Sequence, residues 1–223
     1  MFTINKEIIN IISNNDLFKK KILEEILERN EEEFIDKICA IIKKNNFEEN
    51  NYIDLLYLIN LPLKILKELA YQENIMVRSF LTKRNDLPLK IMKILLKDKD
   101  YSIRELLAER SDIPEELIEE LIEDEYYVIR EMMTQIEGLS LKNMKKLAND
   151  KIDTVKEGLL YRKDLPEEIV LILLKSKNTC LDYRHLNQNH LRKEVKKLVN
   201  RKIEEFYKNL QSIDENIVFD KDF

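Results

Sequence analysis

Glycine occurs only twice in 223 residues, proline four times and tryptophan not at all. Hairpins and the loops of parallel α/β folds draw on glycine for backbone conformations with positive φ. Sandwich, barrel and doubly wound architectures are therefore excluded, and the composition indicates an all-α chain. The same scarcity excludes glycine-rich phosphate loops and the Gly-x-Ser-x-Gly elbow of hydrolases. Cys39 and Cys180 are the only cysteines, too far apart in sequence for a disulfide framework. The only histidines, His185 and His190, stand with Cys180 as Cys-x4-His-x4-His, a wider spacing than zinc pairs favour. A half-buried His185 in a degraded repeat is expected there, not a metal ligand. No apolar run approaches the roughly 20 residues of a membrane span, and the opening "MFTINKEIINIISNN" has no signal-peptide core. No catalytic residue, metal or cofactor is indicated, and a protein of the reducing cytoplasm is expected.

Apolar residues make up 44% of the chain, enough for a continuous core, and charged residues 36%. The formal net charge is −5, whereas a general nucleic-acid binder is expected to be basic.

The main signal is internal repetition. Written in rows of 26 from Leu61, the chain starts each row with Leu61, Leu87, Ile113, Leu139, Leu165 and Leu191. All four prolines, Pro62, Pro88, Pro114 and Pro166, fall in the second position of a row. Ile65, Ile91, Leu117 and Ile169 share a position, as do Leu69, Leu95, Leu121, Leu147 and Leu173. Val77, Ile103, Ile129, Val155 and Leu181 form a further set, with Leu81, Leu107, Met133 and Leu159 four residues on. Apolar positions at i, i+4 and i+8 mark one helix face, followed by a shorter second helix. One such unit cannot bury both faces alone, so the units must stack.

The turn before each first helix has its own chemistry. Asp112 precedes Glu115 by three residues, and Asp164 precedes Glu167. That spacing predicts a capping box, with proline in the first helical turn, where its missing N–H costs nothing. The array is expected to run over 61–190 as five repeats. Residues 1–60 read as a helical cap of degenerate repeats. Residues 191–223 read as a closing helix, "LRKEVKKLVNRKIEEFYKNL", and a tail from 211 whose conformation is left open, all in one continuous domain. Gly158, in a position otherwise held by Phe80, Leu106 and Met132, and Asn143, in an apolar position, predict thinner packing at 140–160.

The stretches "VRSFLTKRNDLPLKIMKILLKD", "IRELLAERSDIPEELIEELIED" and "VKEGLLYRKDLPEEIVLILLKS" resemble the leucine-rich repeat variant family, a HEAT-like helical-repeat solenoid. The resemblance implies alternating α- and 3-10 helices in a right-handed superhelix, with the second helices on its concave face. Some members carry a cysteine-rich iron–sulfur module, for which two cysteines are too few. The fourth row departs from the pattern, with Ile136, Gly138 and Ser140 where Arg, Asp and Pro are usual.

Two sets of cations are candidate sites. Arg78, Arg104, Arg130 and Lys156 follow the apolar position that opens each second helix, and a second row holds Arg84, Arg110 and Arg162. As a basic stripe they would grip another protein or an acidic peptide. The structural alternative is that each arginine bonds helix-end carbonyls or pairs with Asp98, Asp124 or Asp150. The other set, Arg192, Lys193, Lys196 and Lys197, extends to Arg201 and Lys202 and would suit nucleic acid or an anionic surface; more often such a run is the solvated face of a capping helix. The leading expectation is a non-catalytic protein-binding scaffold, an adaptor or an immunity-like protein. A nucleic-acid-associated repeat protein is the alternative, although no aromatic cluster for base stacking is visible in the sequence.

Overall fold

A computed structural model describes residues 2–13, 24, 30–44, 49–58, 60–175 and 181–216. Cys180, residues 14–23 and 25–29 of the expected helical cap, and the tail from 217 lie outside the described residues. Among those described, every regular element is helical. The chain divides into two compact units, Met1–Pro114 and Glu115–Phe223.

The first unit contains α1 (Phe2–Ser13), α2 (Glu31–Lys43), α3 (Glu49–Tyr57), α4 (Leu63–Ala70), α5 (Ile75–Thr82), α6 (Leu89–Leu95) and α7 (Tyr101–Ala108). Two layers result. In one, α2 packs on α4 and α4 on α6; in the other, α3 packs on α5 and α5 on α7. The second unit contains α8 (Glu115–Leu121), α9 (Tyr127–Met133), α10 (Leu141–Ala148), α11 (Asp153–Leu160), α12 (Glu167–Leu174), a 3-10 turn (Tyr183–His185) and α13 (Lys193–Asn216). Here α10 packs on α12, α9 on α11, and α13 closes against α12 and the 3-10 turn.

The interval read from the sequence is the interval of the helices. First helices begin at Leu63, Leu89, Glu115, Leu141 and Glu167, and second helices at Ile75, Tyr101, Tyr127 and Asp153. The fold is an all-α helical-repeat fold. Its second helices are α-helices of seven or eight residues, not the 3-10 segments that the family resemblance implies. Helices this short are marginal alone and depend on their neighbours. The repeated apolar positions supply that support: Ile65, Leu69, Ile103, Leu107, Leu117, Ile129 and Leu173 are all fully buried.

The turns depart from the capping-box expectation. Pro62, Pro88 and Pro166 are themselves the N-cap residues, and they make no side-chain cap bond. The carboxylates of Asp112 and Asp164 turn back instead to Arg110 and Arg162, at 2.7 Å and 2.8 Å. A rigid φ sets the helix entry, and the acid is spent on a guanidinium.

Two rows lack that arginine and solve the turn differently. Leu58 and Ile136 stand in its place, and two residues later Asn60 and Gly138 take φ of 60° and 69°. These are the only left-handed residues among those described. Asn is among the non-glycine residues most often found there, and Gly adopts it without strain. Ion-paired Arg-x-Asp and left-handed Asn or Gly are thus alternative closures of one turn.

Gly158 serves a different purpose, and the expectation of thin packing fails there. A Cβ at Gly158 would overlap Thr134 Oγ1. The missing side chain lets α11 approach the end of α9, where Gln135 Nε2 donates to Gly158 O at 2.6 Å. The helices have closed the gap. Asn143 is fully buried, and its Nδ2 donates to Glu115 at 3.1 Å while its Oδ1 finds no partner among the described residues.

Gly158→Ala should therefore destabilise by about 1–3 kcal/mol through overpacking, and Thr134→Ala on that background should recover part of the loss. Gly138→Ala should cost about 1–2 kcal/mol for its left-handed backbone, and Gly138→Asn less. Urea unfolding of the four variants checks both; equal costs for Ala and Asn at Gly138 would refute the turn argument.

Candidate partner-binding site

The first arginine row is buried. Arg78, Arg104 and Arg130 are 4%, 6% and 5% exposed. Arg78 forks onto Asp98, Nε to Oδ2 at 2.6 Å and Nη2 to Oδ1 at 3.1 Å, while Nη1 donates to the carbonyls of Gln72 and Glu73. Arg130 repeats the arrangement with Asp150, at 2.6 Å and 3.0 Å, and with the carbonyls of Asp124 and Glu125. Arg104 Nη1 donates to Asp98 O at 2.7 Å. Each guanidinium enters the turn that precedes its own helix, and Arg78 and Arg130 also tie that turn to the carboxylate of the next repeat. Lys156 does not reproduce this; its Nζ lies 3.0 Å from Asp153. The side chains marked by sequence for a partner are thus occupied within their own array.

The second row ties each repeat to the one before it. Arg110 Nη1 donates to Thr82 O at 2.6 Å and Arg84 O at 2.8 Å. Arg162 Nη1 donates to Thr134 O and Ile136 O at the same two distances. Arg84 reaches Leu56 O and Leu58 O. Acceptors 28 and 26 residues upstream recur each time.

These ties set the electrostatics. Burial alone would raise the Asp150 carboxyl, but hydrogen bonds from Arg130 and the Ile152 N–H outweigh it and hold it below the ordinary range. Asp112 and Asp164 are lowered by their arginines against a smaller opposing effect of burial. Glu131 moves the other way, raised by burial and by the charge of Glu157 on the adjacent helix. Burial pushes the Cys39 thiol up to about 11, with a further rise from Glu68, which leaves it a poor nucleophile.

The second basic set lies on α13 and the residue before it. Arg192 is exposed and pairs with Glu167 through both its backbone N–H and Nε. Lys193 and Lys197 are exposed, and Lys196 is half-buried. An aromatic group that the sequence did not reveal lies at this end of the unit. Tyr161 and His185 stack with centroids 4.7 Å apart, and Arg184 sits 5.2 Å from the Phe206 ring and 5.5 Å from the Tyr207 ring. His185 is exposed, not half-buried as its repeat position suggested.

The accessible surface of the second helices is apolar in places. Ile75, Met76 and Tyr101 in the first unit are 37%, 48% and 49% exposed, and Tyr127 in the second is 41% exposed. Two grooves of about 470 Å³ each open one repeat apart in the first unit. One runs between α3 and α5, walled by Leu56, Tyr57 and Phe80; the next is lined by Thr82, Asn85, Leu106 and Ser111. Lys83 borders both. Among the described residues, no group of three His, Cys, Asp or Glu side chains is placed to hold a metal ion, and no helix is long and apolar enough to cross a membrane. No family model matches the chain, and neither does any curated protein or solved structure.

Arg130 and Asp150 side chains are 6% and 8% exposed, so removing either strands a buried charge. Arg130→Ala or Asp150→Ala should cost about 3–5 kcal/mol in urea unfolding at neutral pH. Because the folded Asp150 pKa is depressed, its contribution is complete above the unfolded value of about 3.9 and is lost as pH falls through the lower folded one. Asp150→Asn should accordingly lose stability at pH 7 and show a shallower acid limb than the parent; parallel acid limbs would contradict the assignment.

Proposed function

We propose that this chain is a non-catalytic protein-binding scaffold of the cytoplasm, an adaptor or a neutralising, immunity-like protein. It engages its partner with the accessible side of its second helices. The observation that carries the reading is the recurrence of exposed apolar side chains at one repeat position, Ile75 and Tyr101 in the first unit and Tyr127 in the second. Single exposed apolar residues need no explanation. Recurrence at a fixed interval lines them up within a unit, and Tyr and Met are side chains enriched where proteins meet. Repeat arrays of this kind offer extended binding surfaces. The buried arginines belong to the scaffold in this reading and leave recognition to the residues between them.

A nucleic-acid-associated role is the second reading, favoured by the stacked Tyr161–His185 pair at the basic end of the second unit. Residues 181–208 carry eight Lys or Arg against four Asp or Glu, within a chain of net charge −5. Exposed aromatics beside cations suit single strands, whose bases stack on them.

The two readings separate in one pair of measurements. Partner capture from the native cell, with crosslinking and mass spectrometry, should be lost in a Tyr101→Ser, Tyr127→Ser double variant whose melting temperature stays within a few degrees of the parent. An electrophoretic shift of single-stranded DNA or RNA that persists at physiological salt and weakens steeply as salt rises would select the second reading.

A further inference from the structure

We infer that the paired grooves of the first unit receive an extended acidic segment of the partner, one that carries an aromatic or large apolar anchor beside its carboxylates. The inference rests on the scaffold reading and specifies the chemistry of what the scaffold holds.

The first groove is an apolar slot. Leu56 forms its floor, being only 6% exposed, and Tyr57 stands at its side, 74% exposed. Phe80, half-buried on α5, forms the facing wall. Its volume of about 470 Å³ lies within the range of sites that enclose organic groups, so it admits a Phe, Tyr or Leu side chain.

The charge at its rim selects the neighbour of that anchor. Lys83 is exposed, and among the described residues no carboxylate pairs with it. Arg84 is 7% exposed and donates to the Asp86 carboxylate, which also accepts from the Asn60 N–H and lines the slot. The charged lining of the slot, Lys83 and Arg84 against Asp86, is net positive, and among the described residues the Lys83 ammonium is the cation there that no carboxylate holds. A carboxylate belongs there.

The second groove extends the site. Thr82, Asn85 and Ser111 line it with hydrogen-bonding groups suited to a peptide backbone, and its charges balance, Lys83 and Arg110 against Glu109 and Asp112, so the acids of the segment belong at the first groove. Neighbouring helices pack about 8–10 Å apart, and an extended chain advances about 3.3 Å per residue. Roughly three partner residues thus lead from the anchor in the slot, past Lys83, to the polar groove. An extended segment meets these requirements, because its residues are spaced to serve successive repeats.

The test uses short fluorescein-labelled peptides and the full chain in fluorescence anisotropy. The probe carries one Phe followed by Asp and Glu; controls replace the Phe with Ala, or the acids with Lys. Since the protein has a net charge of −5, general electrostatics oppose the acidic probe, and its binding reports a specific site. The acidic probe should bind, and each control should weaken it by roughly tenfold or more. Tyr57→Ser and Lys83→Glu alter exposed side chains and should each weaken it to a similar extent at an unchanged melting temperature. Lys151→Glu, in the second unit, should leave it intact. No binding of the acidic probe, tighter binding of the lysine version, or indifference to Lys83→Glu would overturn the inference. If the native partner is still captured in those cases, the scaffold reading survives; if no partner is captured by the parent protein either, that reading falls with it.

Discussion

An α-helix leaves its last four carbonyl oxygens without intrahelical donors. In a helix of seven or eight residues, that is half or more of all its acceptors. A fold assembled from such helices meets this demand at every turn, and it meets it where neighbouring repeats press together and exclude water. Buried carbonyls without donors cost about 1–3 kcal/mol each, so no packing of apolar faces would survive a turn left unsatisfied in every repeat. The guanidinium group answers the demand. It brings five N–H donors in a plane, and one arginine serves two carbonyls and a carboxylate together. The rest of the architecture is arranged around that need.

The two arginine rows divide the work. Arg78 and Arg130 close the turn within a repeat and fork onto Asp98 and Asp150. Arg110 and Arg162 reach back to the end of the previous second helix and hold their own acids close by. Replacing such a buried cation with packed apolar groups can be neutral in energy, and the protein does this twice. Leu58 and Ile136 omit the guanidinium, and left-handed Asn60 and Gly138 supply the chain reversal. The two positions change together for a physical reason: without its cation the acid has no partner to hold.

The period, the helix layers and the core positions were legible in the sequence because each is a local pattern that recurs. A core position need not be guessed one repeat at a time when Ile65, Ile91, Leu117 and Ile169 agree. The candidate surface was less legible. An arginine one residue after an apolar position reads alike whether it extends into water or folds into the turn beneath it; the difference lies in carbonyls of other turns, which no side-chain pattern displays. Gly158 resembles a hole in the sequence, which records the missing side chain but not the helix approach that fills the space. The Tyr161–His185 stack was hidden because it joins a regular repeat to the degraded one that follows. The caps were misleading for a related reason: Asp112 and Asp164 have the spacing of a capping box, but a guanidinium two residues away is the stronger attraction.

The reach of the second arginine row has a consequence for how such a chain changes length. Donor and acceptors are separated by about one whole period, 26 or 28 residues. Duplicating or excising a segment of 26 residues returns every guanidinium to equivalent carbonyls, whatever the segment's starting point within the repeat. A length change that is not a whole number of repeats breaks the spacing of every donor and acceptor that flank the cut. The hydrogen bonding itself therefore acts as a ruler on the gene, admitting growth and loss in quanta of one repeat while keeping the chemistry of each turn.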